Sequence, residues 1–358
     1  MSEPPPFAAF QAGARRLAEA LNGRVPRIPV FAQMHEFVAA ELGIPRPVFF
    51  RHPEVMVPAM LEVQARYGLD VASITYDVYN IEAAALGQAI RWTDTGMPDI
   101  DRSLPLIRDR DEVSKIATPD FDASPCCTRV IEMHTIFRQL TGLEPSLAFC
   151  APFTLATNLR GIEQFLVDIH EAPAFARGLL DRLTDDVLAP YIAWQQRQFP
   201  AVTRASGVDA TASPPIVSPT ILGDWAARPI LRLRELCRCE VAVVNWIGER
   251  SLRQPEEMLD LKRLVGTGVL WGQDPDVEML GPERYKAYAE RHNLGLILGI
   301  GAGFLAGGRP EEIAARVRDY VRVGARGGRF ALYLCNLGAS TPGANLRAAV
   351  AAAREVCG

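Results

Sequence analysis

The sequence has no apolar run near the roughly 18 residues that a membrane-spanning helix needs, although 49% of its 358 residues are hydrophobic. It has no excess of positive charge. Its 38 Lys and Arg stand against 42 Asp and Glu for a net charge of -4, which argues against nucleic acid as the natural partner. The seven cysteines are odd in number and irregularly spaced, so they outline no disulfide framework and fit a reducing cytoplasm. Nothing at the start reads as a secretion signal. Residues 1–27 instead carry three prolines before Phe7, then Ala14, Leu17, Ala18 and Leu21 at helical spacing, which predicts an N-terminal helical extension. No Gly-x-Gly-x-x-Gly turn follows the first strand candidate, so dinucleotide binding on a doubly wound sheet has no support.

What is present is a long alternation of short apolar strands with amphipathic stretches. Strands are predicted at residues 28–34, 69–76, 146–150, 202–209, 241–246, 268–272, 294–300 and 330–335. Between them lie segments such as 310–323, where Ile313, Val317, Tyr320 and Val321 share a helical face. Strands of this kind joined through helices predict an α/β fold, a (β/α)8 barrel over residues 28–358 behind the extension 1–27. Residues 90–130, rich in Pro, Asp and Arg, read as a long excursion over the barrel mouth. The last segment joins a strand ending in Cys335 to a helix with Thr341 as N-cap, Pro342 at its first position and Leu346, Val350, Ala353 and Cys357 on one face.

Chemistry in such a barrel sits at the C-terminal ends of the strands, so the polar residues there are the candidates. Strand one ends in Gln33, His35 and Glu36; strand two in Asp77, Tyr79, Asn80 and Glu82; strand four in Asp209. Strand five ends in Asn245 and Trp246, strand six in Gln273, strand eight in Cys335. Asp209 and Asp77 are candidate general acids or bases, Tyr79 and Asn245 candidate hydrogen-bond donors, and Cys335 a nucleophile or an inert thiol. Gln33, His35, Glu36, Asn80 and Gln273 would line the substrate pocket, with Phe153 and Trp246 as its walls. Barrel-end aspartates also cap neighbouring helices, so each carries a structural alternative. Glu82 reads as a local cap or pair, and His134 and His170 as surface or satisfied core residues.

Five segments stand in a telling order: Glu82-Ala-Ala-Ala-Leu-Gly87, Ala151-Pro-Phe-Thr-Leu-Ala156, Gly207-Val-Asp209 followed by Ser218-Pro219, Gly308-Arg-Pro-Glu-Glu-Ile313, and the stretch from Cys335 to Leu346. Together they resemble the uroporphyrinogen decarboxylase superfamily. The likeness is closer to the corrinoid and coenzyme M methyltransferases of that superfamily than to its true decarboxylases. The decarboxylases carry an Arg-rich segment after strand one to clamp a polycarboxylate, and here that place reads Gln33-Met-His-Glu-Phe37. The resembling methyltransferases bind zinc through a His-x-Cys pair at strand five and the strand-eight cysteine. This chain has Asn245-Trp-Ile247 there, so of the three ligands Cys335 alone remains and a zinc centre is not expected. A replacement ligand set from His35, Glu36, Asp209 and Cys335 is the alternative.

Three functions follow from the resemblance. The first is a corrinoid-linked methyltransferase taking a methyl group from a small donor such as a methyl ether. A cobalamin-binding Asp-x-His-x-x-Gly motif is absent, so the corrinoid would come on a partner protein, with the mixed charges between Asp94 and Asp111 as a docking rim. The second is a metal-independent decarboxylase or lyase on a small carboxylated substrate, with Asp209 or Asp77 as proton donor. The third is a non-catalytic binder of a corrinoid or other tetrapyrrole. A homodimer stays open beside a monomer, and neither a membrane nor a nucleic acid is expected as partner.

Overall fold

Seven parallel strands form the barrel wall, in two sheets that do not close on each other. In the computed structural model, which describes residues 4–355, one sheet runs in the order β1 (Val30–Met34), β9 (Phe330–Leu337), β8 (Gly295–Ile300) and β7 (Val269–Gln273). The other runs β4 (Leu147–Cys150), β5 (Arg204–Val208) and β6 (Glu240–Val243). A two-residue hairpin, β2 (Ile90–Arg91) with β3 (Asp99–Ile100), stands apart. Among the described residues no helix is long and apolar enough to cross a membrane.

Seven of the eight expected strands are present; residues 69–76 are the exception. They run beside β1, where the second barrel strand would lie, but after one backbone bond side chains do the pairing. The Asp70 N–H donates to the Val30 carbonyl at 2.8 Å. The Asp70 carboxylate in turn accepts the Val30 N–H at 3.0 Å, the Ser73 hydroxyl donates to the Ala32 carbonyl at 3.1 Å, and the Thr75 hydroxyl accepts the Met34 N–H at 3.3 Å. Short polar side chains have replaced the backbone ladder, which is why an extended segment fails to become a strand.

Alternation along the strands separates two cores. Leu298 and Leu332 face the outer helices, where Ile313, Val317, Tyr320 and Val321 of helix Pro310–Gly324 are all buried. Ile297, Ala331, Tyr333 and Cys335 face the barrel interior, packed with Phe31, Trp271 and, from below, Leu17 and Leu21 of the N-terminal helix Phe10–Asn22. That helix buries Phe10, Gly13 and Ala20, so its inner face is turned relative to the expected Ala14 and Ala18, neither of which is buried. The C-terminal helix begins at Gly343, one residue past Pro342, and buries Leu346, Val350 and Ala353; Cys357 lies outside the described residues.

The excursion is split. Its hairpin does reach the strand ends, where Glu36 accepts the Met97 N–H at 3.1 Å and Asn80 donates to the Pro98 carbonyl at 2.7 Å. Beyond residue 105 the chain descends along the outer helices instead of the mouth. Arg110 pairs with buried Asp168 at 2.9 Å, and Thr118 donates to the Asp186 carbonyl at 2.6 Å.

Candidate active site

Asp209 follows β5 directly and is fully buried. One of its oxygens accepts the Thr154 N–H (3.1 Å) and hydroxyl (2.6 Å), and the other accepts the Trp246 indole N–H at 3.0 Å. Burial raises its pKa to about 6 against those three hydrogen bonds. The Asp209 N–H donates to Asn245 Oδ1 at 2.9 Å, which fixes the amide so that Asn245 Nδ2 donates to the Tyr79 hydroxyl oxygen at 3.2 Å. Burial, followed by the thiol of Cys150 and the carboxylate of Asp209, pushes the Tyr79 pKa well up, so the phenol keeps its proton. Its oxygen already accepts from Asn245; the proton is left to donate elsewhere.

Across the barrel, β1, β7 and β9 contribute a second group. The Tyr333 hydroxyl donates to Gln33 Oε1 at 2.5 Å, and the Cys335 thiol donates to Gln273 Oε1 at 3.3 Å. Cys335 is 3% exposed, and burial raises its pKa well above the ordinary thiol value, so it is a neutral hydrogen-bond donor and not a poised nucleophile. Burial, then the nearby Cys335 thiol and Tyr79 phenol, raises the Tyr333 pKa.

His35 and Glu36 hold the hairpin. His35 Nε2 lies 3.1 Å from Asn336 Oδ1, and its Nδ1 lies 2.8 Å from the Met97 sulfur. Burial lowers the His35 pKa below its usual value. Asp77 does not join either group. It turns outward to Arg129, whose Nη2 sits 3.1 Å from both carboxylate oxygens, and with Asn80, Trp92 and Cys126 it lines a lateral cavity of about 290 Å³. Burial raises its pKa against the pull of Arg129. Phe153 is fully buried with its ring 5.4 Å from Phe165, and Trp246, buried as well, reaches Asp209 through its indole N–H.

Two residues read as locally satisfied are not. Glu82 is fully buried and reaches across to β4, accepting the Cys150 N–H at 2.9 Å, while its second oxygen has no partner. Burial raises its pKa to about 8. His134, 1% exposed and packed against Tyr76 and Phe199, has an unpartnered Nδ1, and burial lowers its pKa to about 4. Tyr333, Arg129 and Thr154 were not among the sequence candidates. Only Tyr333 had a signal, since it lies two residues before Cys335 and so shares its face.

The donor set at the expected zinc position does not fit that metal. Asn245 spends both ends of its amide on Asp209 and Tyr79, Ile247 offers no donor atom, and Cys335 is engaged with Gln273. The alternative set does not converge either. His35, Glu36, Asp209 and Cys335 each bind different neighbours, and among the described residues no three His, Cys, Asp or Glu side chains are grouped to hold an ion.

Parallel strands with outer helices, and polar residues gathered at the C-terminal strand ends, define an α/β barrel of the (β/α)8 type. The chain belongs to the uroporphyrinogen decarboxylase (URO-D) family, whose sequence profile matches residues 13–356. Its structure is similar to that of a methyltransferase from Methanosarcina mazei, with a TM-score of 0.76, 18% identity and 99% of each chain covered. It is more distantly similar to a B12-independent methionine synthase from Shewanella sp. W3-18-1 in complex with selenomethionine, with a TM-score of 0.50, 14% identity, and 94% of this chain and 98% of that one covered. At these identities the likeness is one of fold. No protein of curated function matches the sequence significantly.

Proposed function

We propose that this protein is a methyltransferase that removes the methyl group from a small methyl ether, working in the cytoplasm with a separate corrinoid protein. The observation that carries the reading is the hydrogen-bond line from the Asp209 N–H through Asn245 to the Tyr79 oxygen, which occupies that oxygen as an acceptor and leaves the Tyr79 proton available to donate. Breaking an ether bond needs a proton or a strong hydrogen bond at the departing oxygen. Tyr79 supplies it, and Asn245 positions Tyr79. The corrinoid is a co-substrate in this reading, and what it supplies is a nucleophilic cobalt as methyl acceptor.

Transfer to or from a thiol is less well supported, because Cys335 and Asn245 give no means of activating one. Decarboxylation with Asp209 as acid is also less well supported. Its two oxygens are occupied by three internal donors and the side chain is fully buried, so it has no path to a substrate carbon.

The test is methyl transfer from a series of methyl ethers to free cob(I)alamin, with and without a corrinoid protein encoded nearby in the genome. Transfer is expected in at least one condition. No transfer in either, together with release of carbon dioxide from a carboxylated substrate, would replace this reading with the lyase.

A further inference from the structure

The interior layer beside Tyr79 has a composition that selects its ligand. Gln33 and Gln273 lie on the two edge strands of the four-stranded sheet, and each has its amide oxygen capped from β9, by Tyr333 at 2.5 Å and by Cys335 at 3.3 Å. An amide held by its oxygen presents its NH2 on the other side. Neither Nε2 has a hydrogen-bond partner among the described residues, and both glutamines are half-buried, so these donors are neither satisfied nor sealed away.

Two residues earlier on the same strand faces lies an aromatic floor. Phe31 and Trp271 meet edge to face with ring centres 5.8 Å apart, and Tyr333 lies 5.1 Å from Phe31 and 5.4 Å from Trp271. Phe31 and Trp271 are half-buried as well, which leaves ring surface for a ligand. The layer depends on Gly299. A Cβ there would lie 2.7 Å from Cys335 Sγ and 2.9 Å from Gln273 Cβ, so the thiol reaches the amide only across a residue with no side chain. None of these groups carries charge. The neighbouring carboxylate, Asp274, is turned away and engaged by Tyr320, Arg316 and the Gly301 N–H.

We infer that this layer is a subsite for a flat ring bearing a neutral acceptor oxygen, the carbonyl of an amide, ester, aldehyde or ketone. The free amide N–H of Gln33 or of Gln273 donates to such an oxygen, and the ring lies on the aromatic floor. A carboxylate would lose its hydration without meeting a cation, and an amine would set donors against donors. Resting on the methyl-ether reading above, the substrate is then an aryl methyl ether with a carbonyl substituent.

The subsite is tested by binding alone, and methyl transfer to cob(I)alamin then separates it from the methyltransferase reading. Calorimetric titration of the full chain with benzamide, benzoate, benzylamine and cyclohexanecarboxamide should rank benzamide first, at least tenfold ahead of each of the others. Gln273→Glu, nearly isosteric and still able to accept from Cys335, should weaken benzamide at least tenfold. If that variant does not fold, the ligand ranking on the native protein decides alone. Benzoate or benzylamine binding as tightly as benzamide, or benzamide binding the variant as tightly as the native protein, overturns the inference. Benzamide binding without methyl transfer from 4-methoxybenzamide upholds the subsite and removes the methyltransferase reading. Transfer from ethers lacking a carbonyl as fast as from 4-methoxybenzamide keeps that reading and removes the subsite.

Discussion

Glu82 shows how far a single buried carboxyl governs the molecule. Its pKa is raised to about 8 by burial, opposed by the N–H groups that bind it. A carboxyl whose folded pKa lies above its unfolded value of 4.5 stabilises the fold fully below that value, and the contribution is lost as pH rises through about 8. In Glu82→Gln the amide oxygen still accepts the Cys150 N–H, and nothing titrates. Urea unfolding at pH 5 and pH 8.5 should therefore show a native protein that loses stability with rising pH, Glu82 contributing up to ~1.4 kcal/mol per pH step of one until about pH 8, and a variant that loses less by that share, because Asp209 and Asp77 titrate on raised pKa values in both proteins. Equal pH dependence in the two proteins would count against the carboxyl being neutral in the fold. The sequence reads Glu82 as a local cap or pair, but its partner is 68 residues away and on another element. Local reasoning had no access to that distance. The same holds for Asp77, whose outward turn is set by Arg129 on helix Pro125–Thr141, whereas Tyr333 was within reach of a period-two reading from Cys335.

Among the elements, the strands with continuous apolar runs were the most legible, because burial on both faces leaves one reading. Residues 69–76 mixed Asp, Ser and Thr with apolar residues, and those polar side chains took over the bonds of the ladder. The N-terminal helix was legible as a helix and misread in rotation. Its inner face is fixed by Gly13, where a Cβ would lie 1.5 Å from the backbone carbonyl oxygen of Asp70. The same Asp70 carboxylate binds Arg16 of the helix at 2.8 Å and also Arg27 beyond it. Gly13→Ala should thus lift the helix from the barrel floor and expose Leu17 and Leu21. The expected cost is about 1–3 kcal/mol or more, read as a lower urea midpoint. An unchanged midpoint would mean that the helix does not pack this tightly against Asp70.

For the whole molecule, the barrel architecture and the site's position at the strand ends followed from strand spacing and from the resemblance that the family match now establishes. How the polar residues divide was hidden, because the grouping depends on which way each side chain turns at the rim. Asp209, Asn245 and Tyr79 form one chain of hydrogen bonds, Gln33, Tyr333, Cys335 and Gln273 a second group, and Asp77 belongs to neither. The central claim is that the first chain exists to hold a proton on Tyr79 for a departing oxygen. The most direct measurement compares the native protein with Tyr79→Phe in methyl transfer to cob(I)alamin, using aryl and alkyl methyl ethers whose alcohols differ widely in acidity. General-acid assistance contributes about 10²–10⁴-fold, so the account predicts a loss of that order for poor leaving groups, shrinking toward parity as the departing alcohol becomes more acidic. A loss of the same size for every ether, or no loss at all, would contradict it.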